Sequence, residues 1–116
     1  MNNQPTEFDG RCAVMRKSPW LASEDIDGLG DVPATISHVF RYDNVEFEAG
    51  RKEKAVFAIA FDGKDRQLVL NGVNRRTLRD AFGATVSDWK GKKIKLYVDN
   101  KVRMMGKQTK GIRIKI

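Results

Sequence analysis

VPATISHVFRY, running from Val32 to Tyr42, is the segment on which the architecture turns. Val32, Ala34 and Ile36 alternate with Pro33, Thr35 and Ser37, the period of a half-buried strand. Pro33 is tolerated at a strand start or on an edge. Around His38 the phase breaks, and Val39-Phe40-Arg41-Tyr42 continues as extended, aromatic-rich sequence. A long first strand with a phase break is what a coiled strand carrying a β-bulge shows.

Downstream, NVEFEAGRKEK is polar and offers Gly50 for a turn. AVFAIAF, Ala55 to Phe61, is a continuous apolar run too short for a typical helix, and it reads as a central strand with Phe57 and Phe61 in the core. Asp62-Gly63-Lys64-Asp65 is a hairpin signal, and RQLVLNG, Arg66 to Gly72, is the return strand. Asn74 can cap a helix through Arg75–Phe82 that Gly83 ends, with Leu78, Ala81 and Phe82 on one face. Trp89 then reads as a plug between that helix and the sheet. In KKIKLYV, Ile94, Leu96 and Val98 alternate with Lys93, Lys95 and Tyr97; in GIRIKI, three isoleucines alternate with Arg113 and Lys115. Both are half-buried strands. The turn between them falls at Asp99-Asn100 or at Gly106-Lys107, and the sequence does not choose.

Upstream, residues 1–17 hold no sustained period and read as a flexible arm before a single domain over 18–116. Trp20 and Leu21 supply enough apolar surface to anchor the arm; the alternative for Trp20 is an exposed stacking residue. The element order is therefore three strands, a helix and two strands. This predicts a mainly β fold, a five-stranded OB-type (oligonucleotide/oligosaccharide-binding) barrel with one helix between strands 3 and 4. A five-stranded α+β sandwich has the same order and is the alternative.

With 116 residues, 41% apolar and 32% charged, the chain has the composition of one folded soluble domain. It contains no apolar run of the ~20 residues that span a bilayer, so no membrane partner is expected. A single cysteine, Cys12, and no apolar leader suggest a cytoplasmic protein. The net charge of +7 is segregated: residues 90–116 hold ten bases against Asp99 alone, whereas residues 1–35 hold six acids and three bases. Such segregation points to a polyanionic partner; a basic face kept for solubility is the plainer alternative.

LVLNGVN (Leu68–Asn74), DWKGKKIKLY (Asp88–Tyr97) and GKQTKGIRI (Gly106–Ile114) together resemble small phage and prophage proteins of the OB-fold, single-stranded-DNA-binding kind. The resemblance spans roughly residues 18–116 and implies a role in replication or recombination of a phage or mobile element.

In such a barrel the ligand crosses strands 2 and 3 between two clamping loops. Arg51, Lys52 and Lys54 belong to the first loop, and Lys101, Arg103, Lys107 and Lys110 to the second. Cations so placed track a phosphate backbone. Phe40, Tyr42, Phe47 and Tyr97 are candidate platforms for bases, with Arg41 beside Tyr42 and with Lys93 and Lys95 on the face of Tyr97. For the strand lysines, protection against edge pairing is the competing role.

Catalysis finds no support. One histidine, His38, and one cysteine cannot build a zinc site, there is no GxxxxGK[ST] phosphate loop, and Asp62 and Asp65 suit a hairpin tip. No cofactor is expected. The expected partner is single-stranded nucleic acid, with a homo-oligomer or a replication protein as a further partner. The alternative is a structural or adaptor domain making protein–protein contacts, for which Met104-Met105 could serve.

Overall fold

A computed structural model describes residues 4–47, 50–104 and 106–116, the side chains of 103, 104, 107 and 108 excepted. Five antiparallel strands form one sheet in the order β3-β2-β1-β4-β5: β1 Val32–Glu46, β2 Lys52–Phe61, β3 Leu68–Val69, β4 Lys93–Met104 and β5 Lys107–Lys115. Helix α1, Ser23–Ile26, precedes β1, and helix α2, Gly72–Phe82, lies between β3 and β4.

The phase break in β1 is a bulge at Ser37. Ile36 stands opposite Phe61, yet His38 stands opposite Ala60, so β1 carries one extra residue there. The Ser37 hydroxyl donates to the Ala60 carbonyl at 3.0 Å. The consequence is an exchange of faces, because side chains alternate along a strand. Ala34 and Ile36 point into the core, whereas His38, Phe40 and Tyr42, two residues apart in the same series, point out. At the same place β1 changes partner, from β4 over Val32–Thr35 to β2 from Ile36 onward.

The core gathers Ile36, Ile59, Leu78 and Leu96, all at most 1% exposed, with Phe61, Leu68, Trp89, Ile94, Ile112 and Ile114 around them. Trp89 plugs the end of α2, its indole N–H donating to Gly83 O at 2.9 Å. Phe57 does not join this core. It is 49% exposed, because β1 and β2 run on beyond the main core and leave this face of their hairpin uncovered.

β4 does not turn at Asp99-Asn100. The register slips between Asp99 and Val102, which is a second bulge, and the strand continues to Met104, with Gly106 at φ 79° in the turn. Helix α2 starts earlier than its pattern predicts. Asn71 is the cap, accepting from Asn74 N–H at 2.9 Å, and Asn74 lies buried inside the first turn.

The sheet is not closed. Only Leu68 and Val69 of the return segment pair with β2, since α2 begins three residues later and leaves too little chain to reach β5. The free edge of β5 meets Asn74 instead: the side-chain amide donates to Ile112 O at 3.0 Å and its oxygen accepts from Ile114 N–H at 3.3 Å. One buried side chain thus copies two rungs of a ladder.

The segment before α1 is laid against β3. Leu21 N–H donates to Gln67 O at 2.7 Å, and Gln67 N–H to Pro19 O at 2.9 Å, a short parallel bridge. Arg66 ties it down by donating to the carbonyls of Ala13, Arg16 and Ser18 and to the carboxylate of Asp25. Asp25, its side chain 8% exposed, also pairs with Arg16 at 2.8 Å. The part of the expected flexible arm from Ala13 onward is therefore bonded in place, with Ala13 buried.

Candidate nucleic-acid interface

Because the bulge turns them outward, the aromatic residues of β1 form a row on the side of the sheet away from the main core. His38 stacks on Phe40 (5.5 Å between centroids, 16° between planes), and Phe40 leans on Tyr42 at 6.3 Å. Trp20, brought in by the bridge to Gln67, meets Tyr42 edge-on at 5.4 Å and Phe47 at 6.0 Å. Val56 and Ala58 of β2, opposite Tyr42 and Phe40, are 6% and 0% exposed, on the opposite side of the sheet from the main core. Tyr42 is fixed further by its hydroxyl donating to Gln67 Oε1 at 3.0 Å.

The row runs into a cleft of about 780 Å³. Its walls are the Arg16–Ala22 segment, the tip of the β1–β2 hairpin at Glu46, Phe47 and Arg51, Val69 of β3, and Thr109 and Lys110 of β5; among the described residues that line it, Glu46 is the one carboxylate against four cations. The Arg51 guanidinium lies 4.3 Å from the Phe47 ring centroid, close enough for a cation–π contact. Ring faces, guanidinium and ammonium therefore line a single groove open to solvent.

The sequence-predicted site residues do not all meet there. Tyr42 belongs to the aromatic row; Phe47, Arg51 and Lys110 line the cleft. Lys110 is already paired, its ammonium 2.7 Å from Asp27, and that hydrogen bond holds the Asp27 carboxyl below the usual aspartate range. Lys52 and Lys54 border a separate hollow of about 500 Å³ beside Asn44, Glu46 and Glu53. Arg41 pairs with the exposed Asp43 at 3.1 Å and lies 6.0 Å from the Phe57 ring. Lys93, Lys95 and Tyr97 stand on the outer face of β4, where Lys115 covers the Tyr97 ring at 5.0 Å and bonds to Asp31 at 3.2 Å. Tyr97, half-buried under that ammonium, is a poor platform for a base. Lys101 is exposed, its backbone N–H bonded to Asp99 in the bulge. The side chains of Arg103 and Lys107, and the Met104-Met105 pair, lie outside the described residues.

What the sequence understates is the role of Trp20. It is an anchor and, through the same contact, a wall of the cleft. Its signal in the sequence is the neighbouring Arg16-Lys17, cations beside an aromatic residue. His38 reads as plain surface until the bulge places it in line with Phe40 and Tyr42.

Among the described residues no three or more His, Cys, Asp or Glu side chains are grouped to hold a metal ion, and no helix is long and apolar enough to cross a membrane. Compared with protein-family models, with curated proteins and with solved structures, the chain matches none.

Proposed function

We propose that this chain binds single-stranded nucleic acid, DNA foremost, in the cleft between its two long hairpins, and that it catalyses no reaction on it. The observation that carries this reading is the outward aromatic row ending among Phe47, Arg51, Trp20 and Lys110. Single-strand binders combine a cationic groove with rings on which bases stack, at about 1–3 kcal/mol per base. A duplex keeps its base faces to itself, so rings of this kind favour an unpaired strand.

The same reading takes the curled sheet as an OB-type barrel. Its seam between β3 and β5 is spanned by α2 through Asn74 rather than by a strand ladder, and its hairpins stand where clamp loops would. The resemblance of Leu68–Asn74, Asp88–Tyr97 and Gly106–Ile114 to phage single-strand-binding proteins fits a cytoplasmic role in replication or recombination, with a further copy or a replication protein as a second partner.

The test is fluorescence anisotropy with labelled single-stranded and duplex oligonucleotides across a salt series. Single strands should bind more tightly than duplex, with a log–log salt slope of about −0.7 for each phosphate contacted. Trp20→Ala should weaken single-strand binding by about 5- to 150-fold, the equivalent of one lost stacking platform. Single-strand affinity that ignores salt, or that is unchanged in Trp20→Ala, refutes the reading. A stable oligomer without oligonucleotide binding would favour the adaptor role.

A further inference from the structure

We infer that the bound strand does not end at the cleft but follows the outward face of β1, the face turned away from the main core, across the Ser37 bulge onto a second, phosphate-binding stretch at Lys93 and Lys95. This rests on the single-strand reading above and adds to it the path and the length of the ligand.

The register sets the path. On the far side of the bulge the outward residues of β1 are Pro33 and Thr35, which stand opposite Lys95 and Lys93 of β4. Paired residues of an antiparallel ladder share a face. The outward face of β1 is therefore continuous from Tyr42 through Phe40 and His38 to Thr35 and Pro33, with Lys93 and Lys95 beside its lower end. Aromatic rings line the upper half, and ammonium groups line the lower half. Phe40 is 41% exposed and His38 is exposed, so the row stays accessible beyond the cleft.

Two observations set Lys93 and Lys95 apart from ordinary surface lysines. First, at Lys95 β4 is central, with β1 on one side and β5 on the other, so protection of a free edge does not account for that lysine; Lys93 pairs with Thr35 of β1 just past the end of the β5 ladder. Second, Lys95 faces Lys115 directly across the β4–β5 ladder, an unfavourable placement of like charges. Lys115 turns to Asp31, which leaves Lys93 and Lys95 with no carboxylate in ion-pair range among the described residues. A phosphate backbone would supply the missing negative charge. β1 has 15 residues, about 46 Å at ~3.3 Å per step. Even at the ~3.4 Å spacing of a stacked duplex strand, that holds no more than about 13 nucleotides.

The experiment compares labelled dT5 and dT15 on the full chain and on Lys93→Ala/Lys95→Ala. Both positions are exposed, so an unchanged urea midpoint is the control for folding. With wild type, dT15 should bind more tightly and with the steeper salt slope. In the double variant dT5 affinity should stay unchanged, while dT15 should lose most of its advantage and about 1.4 from the magnitude of its slope, two phosphates at ~0.7 each. If dT5 and dT15 bind wild type and the dT15 slope and affinity survive the double substitution, the extended path is wrong while the cleft reading stands. If neither oligonucleotide binds wild type, both are wrong.

Discussion

Asn74→Ala isolates the contact that takes the place of strand pairing at the edge of β5. Asn74 is 1% exposed, and its side chain is the partner of both Ile112 C=O and Ile114 N–H. Alanine leaves those two backbone groups without their side-chain partner. Each orphaned buried group costs about 1–3 kcal/mol, so the loss of both should be about 2–6 kcal/mol. That is a large part of the 5–15 kcal/mol that ordinarily holds a domain of this size. Urea unfolding followed by the emission of Trp20 and Trp89 should show the midpoint falling by about 1–3 M at an unchanged slope, taking ~1–3 kcal/mol/M for that slope. A loss below about 0.5 kcal/mol would mean that water reaches the β5 edge, and that Asn74 does not hold the sheet to α2. Asn74→Asp gives an independent check. A carboxylate still accepts from Ile114 N–H but cannot donate to Ile112 O, and its charge is buried beside that carbonyl. Both effects raise its folded-state pKa above the unfolded value. The stabilising neutral form is present below the unfolded pKa and lost as pH rises through the folded one. Asn74→Asp should therefore recover stability relative to wild type as pH falls, whereas Asn74→Ala should not.

Asp27→Asn should raise oligonucleotide affinity several-fold at low salt, because Asp27 occupies the Lys110 ammonium that a phosphate would need; an equal or lower affinity would argue against competition. Since Lys110 holds the Asp27 carboxyl below its ordinary range, the pair persists as pH falls past the point where free aspartates protonate. What it contributes is present above the unfolded pKa and lost only as pH falls through the folded one, so wild type and Asp27→Asn should converge only in that acidic range. Arg66→Met should release the Ala13–Leu21 segment, at about 2–4 kcal/mol for a partly buried guanidinium whose removal leaves Asp25 with Arg16 alone as its cation and frees three backbone carbonyls. Trypsin should then cut after Arg16 or Lys17 much faster than in wild type, and an unchanged rate would show that the bridge to Gln67 holds the segment alone.

Local alternation made most of the strands legible. Ile94, Leu96, Ile112 and Ile114 fall every second residue and are buried as that period requires. The bulge was legible for the same reason, since a strand that changes phase between Ile36 and Val39 while staying extended must carry an extra residue there. Phe57 marks where local pattern stops informing. Its apolar run is indistinguishable from that of Ile59 and Phe61, and whether anything covers it depends on where neighbouring elements stop. The return strand fails similarly, because its hydrophobicity says nothing of how much chain remains before α2. The predicted clamp was only partly legible, since basic composition does not say which lysines already have carboxylate partners.

The sequence by itself determined the order of elements, the face-switching break in β1 and the segregation of charge, all properties of neighbours along the chain. Only the tertiary structure decided that Asn74 meets the β5 edge and that Trp20 completes the aromatic row through Gln67. It alone showed Lys110 bound to Asp27, 83 residues away. Contacts between residues so far apart are set by how the whole sheet curls, and no local pattern encodes that.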